Sequence, residues 1–165
     1  MRPQIRTVRP EEFDAFMRFM ERAYGHSRAF FQRFYGQLYR PTPEACANCY
    51  VIEDAGQIVS HVGLFPLHIS ATGISLTLGG IGGVATLPEA RGKGYMTRLL
   101  HHAIEEMRAR GYPASWLGGD RQRYNMFGWE MAGLAYQLTF THRSLSWHDV
   151  TPTPVEEVLP DEAHP

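Results

Sequence analysis

The sequence predicts one α/β domain built on a mixed β-sheet. Residues 81–87 form an apolar, β-rich run that Pro88 ends, and a glycine-rich turn then leads into an amphipathic run at 94–110. A second β-rich run follows at 114–117, and strand–helix–strand units of this length form right-handed crossovers between parallel strands. Upstream, β-rich runs separated by turn residues favour antiparallel hairpins. Parallel and antiparallel pairs together predict a mixed sheet with helices packed on it.

The N-terminal region predicts one strand and two helices. Residues 5–8 fit a strand, and Pro10 followed by Glu11 and Glu12 is typical of a helix start. The apolar face of this helix consists of Phe13, Phe16, Met17 and Met20. A second helix is predicted at 27–39, where closely spaced aromatic residues indicate core packing more than ligand binding.

Three strands are predicted after Pro41 and Pro43 end this helical region. They span residues 49–53, 58–69 and 74–87. Turn residues between them favour hairpins, so the third strand is central in the sheet. Its two Gly-Gly pairs, at 79–80 and 82–83, would weaken an ordinary strand and therefore indicate a bulge, a bend or a close approach of another group.

The C-terminal half predicts a long helix at 94–110, which Gly111 ends. Its apolar face consists of Met96, Leu99, Leu100, Ala103, Ile104 and Met107. After the strand at 114–117 come a short helix at 124–127 and a last strand at 134–141.

Composition is that of an ordinary globular protein of one domain, with 165 residues, 44% of them hydrophobic and 20% charged. The sequence contains neither an apolar run of about 18 residues nor a signal-peptide core, which predicts a cytoplasmic protein without a membrane partner. A net charge of −1 gives no general attraction to nucleic acid. The local cluster of Arg91, Lys93 and Arg98 suits a small polyanion better than a duplex.

Metal binding is not expected. Cys46 and Cys49 have the spacing of half a zinc site, but a second pair is missing, so they are predicted to be core cysteines. His101 and His102 are adjacent in the long helix and point about 100° apart, so they cannot both face one ion.

The turn made by Arg91, Gly92, Lys93 and Gly94 has the features of an anion site. Glycines let the backbone approach a phosphate, and the helix dipole and the basic side chains add positive charge. The same pattern also fits an exposed loop. A P-loop would need Ser or Thr where Gly94 stands, and a Rossmann turn would need glycine where Thr97 stands.

Two motifs in this order resemble the GNAT acetyltransferases. The first is Q/R-x-x-G-x-G/A, with Arg91 in its first place, Gly94 in its fourth, and Met96 where a small residue is usual. The stretch V-A-T-L-P-E-A-R-G-K-G-Y-M is similar to Eis-type acetyltransferases, in which a bulky residue there is normal. The second motif, Y-N-M-F-G-W at 124–129, is similar to the Y-x-x-F/L-G-F/Y element of the family.

The resemblance implies a GNAT fold with six to seven strands, helices on both faces of the sheet, and acetyl-CoA in the gap between the fourth and fifth strands. The GNAT domain would span residues 1–147. Residues 148–165, rich in Pro, Glu and Asp, would be a disordered tail or a linker cut from a longer protein, because Eis-type enzymes are long chains. Self-association is left open.

The resemblance also implies the site residues. Backbone N–H groups of the turn would bind the pyrophosphate, and the preceding strand would pair with the pantetheine arm. The implied cofactor-binding residues are Val84, Ala85, Thr86, Arg91, Gly92, Lys93, Gly94, Tyr95, Met96 and Thr97. Tyr124 would be the general acid that protonates the departing thiolate, the alternative being that it only packs beside Phe127 and Trp129. Candidate bases, none of them in a motif, are Glu53, His61, His68 and Asp120.

The function implied is an acetyl-CoA-dependent N-acetyltransferase that modifies a primary amine of a small molecule or peptide by direct attack. In GNAT proteins the first two helices wall the acceptor pocket, so some aromatic rings of residues 27–39 would touch the acceptor. The alternative is a non-catalytic GNAT module that binds acyl-CoA as a sensor or as one domain of a larger assembly.

Overall fold

The described part of the chain, residues 3–71 and 73–132 of a computed structural model, is built around a mixed sheet of five strands. In their order across the sheet, these are β1 (Ile5–Thr7), β2 (Cys49–Asp54), β3 (Gln57–Ala71), β4 (Ile74–Thr86) and β5 (Ser115–Leu117). As predicted, the β2–β3 and β3–β4 pairs are antiparallel and β5 is parallel to β4; β1 pairs with β2, also antiparallel. The described residues therefore supply five of the expected six to seven strands, while the predicted strand at 134–141 and the tail lie outside them.

The helices follow the predicted order with shifted ends. They are α1 (Phe13–Tyr24), α2 (Arg28–Tyr35), α3 (Pro43–Cys46), α4 (Tyr95–Ala109) and α5 (Arg121–Tyr124), with 3-10 turns at Pro10–Glu12, Pro88–Ala90 and Asn125–Phe127. The prediction that Pro43 closes the helical region is wrong, because Thr42 caps a short helix in which proline takes the first position. Within the described residues, no helix has the length and apolarity needed to cross a membrane.

Helices cover both faces of the sheet. Side chains along β3 point alternately to the two faces, so residues of this one strand contact a helix on each side. His61 contacts the ring of Phe16 in α1, at a centroid distance of 5.0 Å. Leu64, three residues on, faces the other side, where it shares with Met107 of α4 the space beside Gly79. A Cβ at Gly79 would clash with Met107, so this glycine permits α4 to pack closely on β4.

The two cysteines are core residues, as predicted. Cys46 and Cys49 are each 2% exposed and form no disulfide. Burial raises the pKa of both thiols, so both stay protonated at neutral pH.

Candidate active site

Strands β4 and β5 separate partway along the sheet. Their parallel pairing ends at Ile81 and Leu117, although β4 continues to Thr86. Residues 82–86 therefore have no β5 partner among the described residues, while their other edge pairs with β3. Such an unpaired strand edge can hydrogen-bond to an extended ligand as an additional strand.

A β-bulge lies where the two strands part. Gly83 has a φ of +61°, and the β3–β4 register shifts between His61 and Gly63, so the predicted irregularity of the Gly-Gly pair at 82–83 is confirmed. The fully buried His61 holds this bulge, because its Nδ1 lies 2.7 Å from the Gly83 carbonyl oxygen. Burial lowers the pKa of His61 to about 4, so the ring is neutral and Nδ1 carries the proton that it donates.

Beyond β4, the glycine turn leads into α4 with its backbone exposed. Gly92 and Gly94 have φ angles of +78° and +73°, which glycine adopts readily, and a Cβ at either would meet nothing within 4 Å. Gly94 occupies the N-cap of α4 and provides no side-chain cap. Since the first N–H groups of a helix have no partner within it, this start offers donors and positive potential to an anion.

Asp54 anchors this turn from the end of β2, a contact that sequence reasoning missed. Its Oδ2 accepts hydrogen bonds from Lys93 Nζ at 2.9 Å and from the Tyr95 hydroxyl at 2.8 Å. These bonds lower the pKa of Asp54 and raise those of Lys93 and Tyr95. The charge of Lys93 is thus partly balanced by Asp54, whereas Arg91 is exposed.

The predicted pantetheine strand is tied to its neighbours through its carbonyl groups. The Val84 carbonyl accepts a hydrogen bond from the Tyr24 hydroxyl at 3.0 Å, and the Ala85 carbonyl accepts one from Ser60 Oγ at 3.0 Å. Ser60 Oγ also lies 2.8 Å from Thr86 Oγ1. These hydrogen bonds from side chains fix the path of β4 where it has no β5 partner.

Tyr124, the predicted acid, ends α5 and is 7% exposed. Its ring packs so closely that a Cβ at Gly119 would lie 2.7 Å from it. Burial is the largest cause that raises the pKa of Tyr24 to about 12, and the neighbouring Tyr124 phenol is the second. Tyr24, which sequence reasoning assigned no role, donates to the Val84 carbonyl and lies within electrostatic range of the predicted acid.

A cavity of about 510 Å³ lies between α1, α2 and the point where β4 and β5 separate; Tyr24 lines it and Tyr124 does not. Gly82 and Gly83 of β4 and Trp116 of β5 line it together with aromatic residues of the helices. Its size is typical of a small-molecule site.

Comparison with known families identifies the fold from the sequence. The family described as the acetyltransferase (GNAT) domain matches residues 4–132. This chain belongs to the GNAT family. Comparison with curated protein sequences gives no match.

Solved GNAT structures agree with this assignment. A GNAT-family acetyltransferase from Brucella melitensis in complex with acetyl-CoA is 26% identical, with a TM-score of 0.63, and the match covers 78% of this chain and 82% of that one. A GCN5-related N-acetyltransferase from Ralstonia eutropha JMP134 shares the fold at 19% identity and a TM-score of 0.64, covering 82% and 97%. A conserved protein from Enterococcus faecalis V583 shares it at 20% identity and a TM-score of 0.65, covering 78% of this chain. The GNAT chain spans only 32% of the Enterococcus protein.

The candidate bases of the GNAT chain do not line the cavity. Glu53 pairs with Arg6 in a separate polar cleft, His61 is buried behind the bulge, and His68 bonds to Thr77 in the outer part of the β3–β4 hairpin. Asp120 caps α5 by accepting a hydrogen bond from a backbone N–H. His26, which the sequence did not single out, does line the cavity.

The adjacent histidines of α4 have separate surroundings. His102 packs against Tyr50, and His101 packs against Phe127. Across residues 3–71 and 73–132, the GNAT chain has no group of three or more His, Cys, Asp or Glu side chains that could hold a metal ion.

Proposed function

We propose that this GNAT domain is an N-acetyltransferase that moves the acetyl group of acetyl-CoA to a primary amine by direct attack. One observation carries the proposal: the unpaired edge of β4 at residues 82–86 leads to the uncapped start of α4. An extended amide-containing arm that ends in a pyrophosphate matches these two features in the same order. The acetyl-CoA complex of the Brucella relative supports the choice of cofactor.

In this proposal, the pantetheine amides pair with β4, and a backbone N–H near the bulge polarises the thioester carbonyl. The β4 residues concerned are Val84, Ala85 and Thr86. The turn and the first helical residues hold the pyrophosphate, mainly through backbone N–H groups. They are Arg91, Gly92, Lys93, Gly94, Tyr95, Met96 and Thr97.

The chemistry needs a neutral amine and a proton for the leaving group. The amine nitrogen attacks the thioester carbon, a C–N bond forms, the C–S bond breaks, and the nitrogen loses a proton to solvent. Tyr124 gives its phenolic proton to the departing thiolate and later recovers one from solvent. Its place in the Y-N-M-F-G-W motif, at the end of α5, supports this role.

A second candidate is a module that binds acyl-CoA without transferring the acyl group. One observation favours it: among the described residues lining the cavity, there is no carboxylate that could act as a base. Incubation with acetyl-CoA and a panel of primary amines separates the two, because only a transferase releases free CoA thiol above the rate without amine. Both candidates require CoA to raise the melting temperature, by linkage to the folded state. Absence of any shift at millimolar CoA would overturn both.

Two finer assignments belong to the same proposal. The stretch at residues 84–96 supports an Eis-like subtype. Two buried cysteines without a disulfide support a reducing, cytoplasmic location.

A further inference from the structure

The 510 Å³ cavity opens where an acyl group carried along β4 would end. Ile81, Gly82 and Gly83 form its β4 wall, and Trp116 of β5 stands on the other side of the strand separation. A molecule held in this cavity would therefore lie at the end of the proposed cofactor path. The cavity thus defines which acceptors can reach the acyl group.

Aromatic rings dominate the wall of this cavity. They belong to Tyr24, Phe30, Phe31, Tyr35, Tyr39 and Trp116. The rings of α2 and of the segment that follows it support one another: Phe31 meets Phe30 edge-on with centroids 5.7 Å apart, and meets Tyr39 at 6.2 Å. This arrangement gives the cavity apolar walls set by packing between side chains.

The polar groups of the wall bring no negative charge. The Tyr24 hydroxyl already donates to the Val84 carbonyl, and burial holds the pKa of Tyr39 well above its usual range, so both phenols stay neutral. His26 stacks on Phe30 with ring centroids 4.1 Å apart. Among the described lining residues there is no Asp, Glu, Lys or Arg.

Resting on the proposed function, we propose that the acceptor is a monoamine attached to a flat aromatic group, an arylalkylamine in chemical class. An aromatic ring buried in this cavity leaves water for contact with other rings. A polyamine or aminosugar would bring further ammonium groups into the cavity, where they would lose hydration without a carboxylate to pair with. Transfer gives the arylalkyl acetamide and CoA thiol, and one proton of the amine replaces the acetyl group on sulfur.

The test compares 2-phenylethylamine, n-propylamine and spermidine as acceptors, with CoA release as the assay. We expect the kcat/KM of phenylethylamine to exceed each of the others by at least about 30-fold, the order of effect of burying one ring. A preference for spermidine, or equal values for the three amines, would overturn the substrate class and leave the N-acetyltransferase activity standing.

A charge introduced into the wall provides the matched variant. Tyr35→Glu places a carboxylate at a residue that lines the cavity and is 43% exposed. Phe34→Glu places the same group on the preceding residue of α2, which is 56% exposed and does not line the cavity. Tyr35→Glu should lower the phenylethylamine-to-spermidine ratio at least about tenfold, and Phe34→Glu should leave it unchanged. An equal change in both variants would show that the cavity does not set the preference.

A binding measurement separates failure of the substrate class from failure of the proposed function. In thermal shift experiments with CoA-saturated wild type, phenylethylamine should raise the melting temperature more than n-propylamine or spermidine does at the same concentration. If that result comes without CoA release from any amine, the aromatic site stands and the transferase is overturned. If phenylethylamine neither binds nor reacts, the substrate class is overturned.

Discussion

The buried His61 should make the stability of this domain fall as the pH is lowered from 7.5 to 5. Its ring is fully buried against Phe16, and Nε2 has no hydrogen-bond partner among the described residues. Burial opposes protonation in the native state and lowers the pKa of His61 from 6.5 to about 4. In the unfolded chain the ring is hydrated and protonates near pH 6.5.

The sign and size of the effect follow from these two pKa values. Below pH 6.5 the unfolded state binds a proton that the native state refuses, so the free energy of unfolding falls as the pH drops. One pH unit between the two pKa values corresponds to about 1.4 kcal/mol, which gives a loss of about 2 kcal/mol by pH 5 and about 3 kcal/mol by pH 4. Partial burial opposes ionisation of Glu12, but hydrogen bonds from Arg6 and Arg9 lower its pKa to about 2. The contribution of Glu12 to the free energy of unfolding is therefore lost mainly below pH 5.

Urea unfolding at pH 7.5, 6.5, 5.5 and 5.0 measures this loss directly. The matched pair of variants is His61→Gln, which removes the titrating ring, and His68→Gln, which changes an exposed histidine in the same strand. The fall of about 2 kcal/mol should persist in His68→Gln and largely disappear in His61→Gln, whatever the absolute stability of each variant.

Two results would refute the reasoning. If His61→Gln shows the same fall as the wild type, other groups cause the pH dependence. If the wild type is equally stable at pH 7.5 and pH 5, His61 can accept a proton in the native state, and its surroundings are wetter than the structure indicates.

Three further predictions concern the cofactor and the chemistry. Gly94→Glu should abolish the thermal shift caused by CoA, because the new carboxylate repels the pyrophosphate. Gly94→Ala has the same backbone strain at φ +73° without the charge and should retain part of the shift. Equal shifts in the two variants would show that charge is irrelevant at this turn. Tyr124→Phe should slow acetyl transfer by roughly 10² to 10⁴-fold with little change in CoA affinity, whereas Tyr112→Phe, which removes a hydroxyl beyond the end of α4, should leave the rate unchanged. A Tyr124→Phe rate within about twofold of wild type would exclude this acid. Asp54→Asn should tighten CoA binding severalfold in low salt, because it removes the negative charge that pairs with Lys93. Weaker binding would mean that the hydrogen bonds from Asp54 to Lys93 and Tyr95 matter more than its charge.

Local features of the fold were predictable because they depend on residues close together in sequence. The apolar faces of α1 and α4 follow from helical spacing, and both helices formed where the spacing predicted them. The bulge at Gly83 and the turn at Gly94 follow from backbone conformations that glycine adopts readily. Two short motifs, at residues 91–96 and 124–129, made the family recognisable, and the family match confirmed it.

The composition of the site depended on tertiary packing. Tyr24 reaches Val84 across 60 positions of sequence, and Asp54 reaches Tyr95 across 41, so no local pattern could report either contact. The sequence showed closely spaced aromatic residues at 27–39, but only the packing of α2 and the segment after it against the separating strands put Phe31 and Tyr39 around one cavity. Sequence by itself thus determined the main elements and the glycine turn before α4, because helical period and glycine conformation are local. Tertiary structure alone decided where β5 leaves β4 and what chemistry surrounds the gap, because both result from contacts between distant segments.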